Sequence, residues 1–348
     1  MKQWKTGSGC SRDFFSKRSK PEKRELKMGT GKKMFITGGA GFIGTALIKR
    51  FIDDYRVVVY DNLSRNSLRE TGLWNHPHLK VVQGDVLDFD SLKGSIPPDT
   101  DMVLNMAAVA GVDTVIQNPV RTMEVNAIGT YHLMKALKEL KLLPNLERLI
   151  NFSTSEVFGI NAFRVDEKSS TNLQPVGEAR WTYSVSKLAG EHLTHGYHKQ
   201  FGLRAVNVRP FNIYGPGQVG EGAIHHFVVR AIKNEPLIIH GEGDQIRSWC
   251  YIDDMIDGLL LCSEKREAIG EVFNIGNPKG TITILWLAEK VIQLAGSSSR
   301  IVHVAKNYVD VELRIPSIEK AKELLGFQPR VDLNEGIRRT IEWYRGRI

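Results

Sequence analysis

The segment Met34-Phe-Ile-Thr-Gly-Gly-Ala-Gly-Phe-Ile-Gly44 constrains this chain more than any other stretch. Gly38, Gly41 and Gly44 recur at every third position between an apolar run, Met34 to Ile36, and a helical pattern over 42–52. Strand, glycine turn and helix in that order make the phosphate-binding opening of a dinucleotide fold. The first glycine permits a tight turn, the second lets backbone approach a pyrophosphate, and the third brings helix and strand together. The N–H groups that begin the helix, at Phe42, Ile43 and Gly44, face the phosphates with the positive end of the helix dipole behind them. Asp61 closes the next apolar run, Val57 to Tyr60. A carboxylate there accepts hydrogen bonds from the adenosine ribose hydroxyls and repels a 2′-phosphate, so NAD is expected rather than NADP.

Short β-branched runs at 34–37, 57–60, 79–82, 102–105 and 148–153 alternate with helical patterns, the mark of a parallel sheet covered on both faces. A helix over about 183–201 and a strand over 203–209 continue the series. Beyond them come glycine-rich connections such as Gly215-Pro216-Gly217, short strands, and helices near 283–295, 317–325 and 333–345. The expected fold is α/β, a Rossmann-type doubly wound parallel sheet over 34–210 with a smaller, interleaved C-terminal substrate-binding lobe over 211–348. No linker divides the two, so a cleft between them is expected. Small residues, Ala107 and Ala108, end the fourth run and leave room for a ligand. Asp85-Val86 reads either as an adenine contact or as a surface turn.

The net charge of +8 invites a nucleic-acid reading, but it sits entirely in residues 1–33, which hold eleven Lys or Arg and three Asp or Glu. The other 315 residues carry 36 of each sign, so the folded body is neutral and no nucleic-acid partner is expected. The basic segment lacks the apolar region of a secretory signal and only faintly resembles a transit peptide. It reads as a disordered extension, or as sequence upstream of a start at Met28 or Met34. No apolar run is long enough to span a membrane. Cys10, Cys250 and Cys262 form no disulfide or metal pattern, and a cytoplasmic location is expected. His225 and His226 point about 100° apart on a helix and cannot easily chelate together, so solvent or substrate contact is expected there and no metal.

Tyr183-Ser-Val-Ser-Lys187 places a tyrosine and a lysine on one helix face. A tyrosine titrating near 10 is a poor base at neutral pH, but an ammonium and a positive nicotinamide ring both favour the phenolate. It can then take a proton from a substrate hydroxyl while hydride leaves the same carbon. Thr154 reads either as a third hydrogen-bonding group to that oxygen or as a turn hydroxyl.

Gly-x-x-Gly-x-x-Gly, Asp61-Asn62-Leu63, Ser153-Thr-Ser-Glu-Val-Phe-Gly159, Tyr183-x-x-x-Lys187 and Arg209-Pro-Phe-Asn-Ile-Tyr-Gly-Pro216 fall in order along residues 33–345. Together they resemble the extended short-chain dehydrogenase/reductase family of NAD-dependent nucleotide-sugar epimerases, dehydratases and decarboxylases. Asn105 stands where many relatives have histidine. The resemblance implies that Thr154, Tyr183 and Lys187 are catalytic and that Gly38, Gly41, Gly44, Asp61, Asn62, Asp85, Val86 and Ala107 hold NAD. It further implies that Asn212 and Arg247 contact the sugar nucleotide. Arg314 reads either as another diphosphate contact or as a surface ion pair.

Members of such a family begin by oxidising sugar carbon 4, and residues beside the ketone decide the next step. Plain 4-epimerases usually have inert residues after the catalytic Ser or Thr, whereas this chain has Ser155 and Glu156. Thr154-Ser-Glu156 resembles UDP-glucuronate decarboxylases and GDP-mannose 4,6-dehydratases, with Ser155 at the substrate. Most dTDP-glucose dehydratases carry aspartate at Ser155, and serine is a weak acid. Arg180-Trp-Thr-Tyr183 resembles bacterial UDP-glucuronate decarboxylase domains, in which Arg247 could face a substrate carboxylate. The reading leans to decarboxylation of a UDP-sugar, with dehydration or 4-epimerisation as alternatives. Glu156 as a plain loop cap, and a non-catalytic dinucleotide-binding protein, stay open as further readings. The resemblance also implies a homodimer, formed by a helix near 114–138 and the Tyr183 helix, with Ile128, Tyr131 and Leu133 in the contact.

Overall fold

The computed structural model describes residues 31–305 and 310–348. All but the last residues of the basic extension, with Cys10 and Met28, lie outside them.

Seven parallel strands form the main sheet: β1 Lys33–Thr37, β2 Arg56–Asp61, β3 Leu79–Gln83, β4 Met102–Asn105, β5 Arg148–Phe152, β6 Ala205–Pro210 and β7 Val272–Ile275. Their order is β7-β6-β5-β4-β1-β2-β3. The chain builds outward from β1 in both directions, and the reversal lies between β1 and β4, where doubly wound sheets take their ligands. Alternation along each strand feeds two cores. Met34, Ile36, Val57, Val59, Met102 and Leu104 enter one. Phe35, Tyr60, Val103 and Leu149 enter the other, under the helix Gly129–Glu139.

β7 comes from far along the chain, after the substrate-lobe segments begin. A four-stranded sheet of Thr281–Thr283, Ile246–Ser248, Leu313–Pro316 and Asn161–Val165 carries that lobe. Its parallel register sets Arg247 beside Arg314.

Residues 112–139 are not one helix. Pro119 cannot continue the helix Val112–Gln117, and a π-helical turn, Glu124–Ile128, precedes Gly129–Glu139. Leu133 is fully buried in the second core and so is no dimer contact.

A row of polar side chains crosses the sheet at the level of its ligand-facing end. Thr37, Asn105, Asn151 and Asn207 are register partners on β1, β4, β5 and β6. Thr37 Oγ1 donates to Asn105 Oδ1 at 2.9 Å, and Asn105 Nδ2 donates to Asn151 Oδ1 at 2.9 Å. Asn151 Nδ2 donates to Asn207 Oδ1 at 2.8 Å, and Asn105 Nδ2 also reaches Thr130 Oγ1 at 2.9 Å. Buried amides of this kind are tolerated only when bonded. Asn151→Leu removes both links in the middle of the row, and each orphaned partner costs about 1–3 kcal/mol. The urea midpoint should fall with an unchanged slope; a loss below about 0.5 kcal/mol would show that the row is energetically idle.

Candidate functional site

The glycine turn folds as its spacing requires. Gly38 has φ 70, and a Cβ there would fall 2.5 Å from the Ala107 nitrogen, so only glycine lets β1 turn beneath the end of β4. A Cβ on Gly44 would fall 2.5 Å from Gly39 O, so the helix Phe42–Phe51 closes on the turn itself. Its first bond runs from Thr45 N–H to Gly41 O at 2.8 Å, and no side chain caps the N–H groups before it. Phe42 and Ile43 pack their side chains on the core, leaving their backbone to serve a ligand. Asp61 Oδ2 accepts from Ala40 N–H at 3.0 Å and Oδ1 from Leu63 N–H at 2.7 Å. Burial raises its pKa, and those two bonds oppose the rise.

A cavity open at its mouth lies against Gly38, Gly41, Asp61, Asn62, Val86 and Ala107. Asp85 also lines it, but its carboxylate is paired with Arg121. The uncapped helix start, the carboxylate beside the turn and the cavity that joins them fit a dinucleotide.

Tyr183 and Lys187 stand one turn apart on the helix Thr182–Phe201. Lys187 is buried, and its Nζ donates to Phe152 O at 2.7 Å at the end of β5. Burial lowers its pKa to about 8. Thr154, whose side chain favours the Tyr183 phenolate, accepts from Glu156 N–H at its Oγ1 at 3.2 Å. The expected lowering of the tyrosine is not what the protein alone provides. Burial first, then the Glu156 charge, push Tyr183 up to about 12, against the opposing pull of Thr154, Arg314 and Arg180. The Lys187 ammonium bonds a carbonyl and not the phenol, so the positive nicotinamide ring of bound NAD would add to the pull of Arg314 and Arg180 on the phenol.

Glu156 sits in a nest of buried charge. Arg180 Nη1 is 3.2 Å from its Oε2, and Arg314 Nη1 is 3.4 Å from its Oε1. Asp310 Oδ1 lies 3.5 Å from Arg180 and 3.4 Å from Arg247. Burial would raise the Glu156 pKa, but Arg180 and then Arg314 bring it below the usual carboxylate range. Among the described residues, three guanidinium groups stand here against two carboxylates, a surplus of positive charge. Arg314 is buried and not a surface ion pair, and its Nε and Nη2 make no hydrogen bond among the described residues. Arg247 donates to Glu312 O at 3.3 Å, and burial lowers its pKa to about 10.

These arginines and Glu156 line a second cavity, open to solvent, with Asn212 and His226. Asn212 holds a positive φ of 42, and its Nδ2 donates to Ser248 O at 2.9 Å. Ser155 is 2% exposed and, like Thr154, Tyr183 and Lys187, lies just behind the walls of the two cavities. His225 is half-buried against Tyr344, with Nδ1 2.8 Å from the phenol oxygen, and does not meet the expectation of solvent or substrate contact.

Sequence reasoning passed over Asn126, buried in the π-helical turn. Its Oδ1 accepts from Val109 N–H at 2.8 Å and its Nδ2 donates to Ser186 Oγ at 3.1 Å, tying the dinucleotide cavity to the Tyr183 helix. A lone asparagine in an apolar helical pattern was its only signal. Asp310, Arg65 and Glu221 had none.

Comparison with known proteins gives the same outline. Residues 34–276 match the sequence profile of the NAD dependent epimerase/dehydratase family. UDP-glucuronic acid decarboxylase 3 of Arabidopsis thaliana is 34% identical over 322 residues, 91% of this chain and 90% of that protein. UDP-N-acetyl-alpha-D-glucosaminuronate decarboxylase of Bacillus cytotoxicus is 31% identical over 90% of this chain and 98% of its own length. Among solved structures, a Bacillus cereus UDP-glucuronic acid 4-epimerase in complex with UDP-glucuronic acid and NAD superposes with a TM-score of 0.80, at 31% identity. That match covers 90% of this chain and 99% of the epimerase. No helix among the described residues is long and apolar enough to cross a membrane.

Lys187 yields a pH signature. Its folded pKa of about 8 lies below the ordinary lysine value, so between these the unfolded chain holds the extra proton. Stability should therefore rise with pH across that window, by on the order of 3 kcal/mol in all. Denaturant titrations at pH 7 and pH 9.5 should show this rise in wild type and lack it in Lys187→Met. Equal pH dependence in the two proteins would contradict it.

Proposed function

The chain belongs to the NAD dependent epimerase/dehydratase family, and within it we propose a nucleotide-sugar decarboxylase acting on a UDP-hexuronate. The observation that carries this reading is the buried nest of Arg180, Arg247 and Arg314 around Glu156 and Asp310, with its surplus positive charge beside Tyr183. The diphosphate of any nucleotide sugar can meet Arg247, but Arg180 and Arg314 stand at Glu156 beside Tyr183, where the sugar itself lies and where a hexuronate carboxylate brings negative charge.

NAD, when bound, takes the hydride from sugar carbon 4 and returns it at the end of the cycle. Tyr183 accepts the proton of the 4-hydroxyl, Thr154 shares its hydrogen bond, and Lys187 holds the end of β5 in place. The carboxyl group is then β to the ketone. Its C–C bond breaks, carbon dioxide leaves, and the electron pair passes to the ketone oxygen as an enolate, which is protonated at carbon 5. The arginine nest orients the carboxylate before that step, and Glu156, ionised at neutral pH, keeps Arg180 and Arg314 aimed. Asp61, Asn62 and Val86 serve the adenosine half, and Asn212 with Arg247 the diphosphate.

A UDP-hexuronate 4-epimerase is the second reading, because the Bacillus cereus relative also binds a hexuronate. A cytoplasmic site of action fits the chain's free, buried Cys250 and Cys262. Val120, Ile128, Tyr131 and Val185 expose apolar surface on the Pro119–Met123 to Gly129–Glu139 segment and the Tyr183 helix, which supports a two-fold dimer.

Light scattering should give twice the chain mass at micromolar concentration, and a monomer would refute the dimer. With UDP-glucuronate, wild type should release carbon dioxide and form a UDP-pentose. Tyr183→Phe should form neither product nor reduced cofactor. Glu156→Gln should form the 4-keto intermediate and stall, so that nicotinamide absorbance rises and stays high while turnover falls at least tenfold. Near-normal turnover in that variant, with a product of unchanged mass, would leave the epimerase.

A further inference from the structure

Arg65 follows β2 and Thr114 follows β4, while β1 runs between those two strands. A bond between the segments after β2 and β4 can form only by arching across the carboxyl end of β1, above the Gly38 to Gly41 turn. That bond is present. Arg65 Nη2 donates to Thr114 Oγ1 at 3.1 Å, and both residues line the dinucleotide cavity.

The arch is fastened from the substrate lobe. Thr114 Oγ1 in turn donates a hydrogen bond to Glu221 Oε1 at 2.6 Å, and Thr114 N–H donates to the same oxygen at 3.1 Å. Asp113 N–H donates to Glu221 Oε2 at 3.0 Å, and Arg65 Nη2 lies 3.7 Å from Oε1. The seat is shaped for this carboxylate. Gly111 has φ 101, and a Cβ there would fall 2.5 Å from Glu221 Oε1. A second tie runs in parallel: Ser67 N–H donates to Ala40 O in the glycine turn at 2.9 Å, and Ser67 Oγ donates to Gly217 O at 2.9 Å.

From this geometry we infer that Arg65, Thr114 and Glu221 form a strap across the diphosphate of bound NAD, which must open for NAD to exchange and which a sugar nucleotide holds shut. Glu221 also lines the substrate cleft, so a ligand there bears directly on the clasp. The inference rests on NAD binding and not on which reaction succeeds oxidation. A cofactor regenerated in every cycle has no need to leave, so a strap that retains it does not limit turnover. By linkage, a ligand that favours the closed strap must also strengthen NAD binding.

The test tracks release of NAD from the loaded enzyme into excess fluorescent 1,N6-etheno-NAD, with and without UDP. Wild type should release NAD slowly, and several-fold more slowly with UDP. Glu221→Ala and Arg65→Met should each raise the release rate at least tenfold and abolish the UDP effect. Arg69→Met, exposed on the same loop, should behave as wild type. Thr114→Val removes only the bridging hydroxyl and should shift release in the same direction, should either larger change prevent folding. Thermal unfolding identifies folded variants. Unchanged release in folded variants, or faster release with the UDP effect intact, would overturn the strap.

Discussion

The row of Thr37, Asn105, Asn151 and Asn207 is the constraint on which the rest of this structure depends. A parallel sheet buried on both faces has no apolar reason to stop its strands at a common level. Side-chain bonds that run from register partner to register partner impose one. They hold β1, β4, β5 and β6 in one register, and so help set where Gly38, Ala107, Phe152 and the Tyr183 helix stand relative to each other. Asn126 extends the same logic one layer up, because its amide bonds Val109 and Ser186 at once. The site inherits its geometry from polar groups that never touch a ligand.

Above that floor the electrostatics work by burial. Lys187 falls to about 8 and Tyr183 rises to about 12 because both are taken out of water. The two shifts move the pair toward its neutral forms, so the protein alone resists separating charge between them. Glu156 is the exception, held ionised by guanidinium groups although burial opposes it. Buried charges of this sort contribute little to net stability and a great deal to what the cavity will accept.

Much of the fold was legible because its signals are local. The spacing of Gly38, Gly41 and Gly44 and the alternation of apolar runs arise from backbone geometry within a few residues. The strands at 102–105 and the helix at 333–345 stand where the pattern put them. Tyr183 and Lys187 were legible for the same reason, being one helical turn apart. The features that escaped depend on long-range contact. Nothing near Glu221 announces that it caps Thr114, and nothing near Asp310 announces Arg180 and Arg247. Leu133 was misjudged because an apolar residue on a helix looks the same from the sequence whether it faces a core or a partner. The break at Pro119 could have been read, since proline ends helices, but the π-helical turn after it could not.

The last strand of the main sheet has a consequence during synthesis. Val272–Ile275 pairs with Ala205–Pro210, and residues 211–271 lie between them. On a ribosome the apolar edge of β6 therefore emerges well before the strand that covers it, by roughly 3–12 s at ordinary elongation rates. Through that interval the nascent chain presents an open, buried-type edge, the kind of surface that pairs with any other strand it meets. Premature termination in this stretch would release a fragment with its dinucleotide turn already built and its sheet edge bare, a natural client for chaperones and a seed for aggregation.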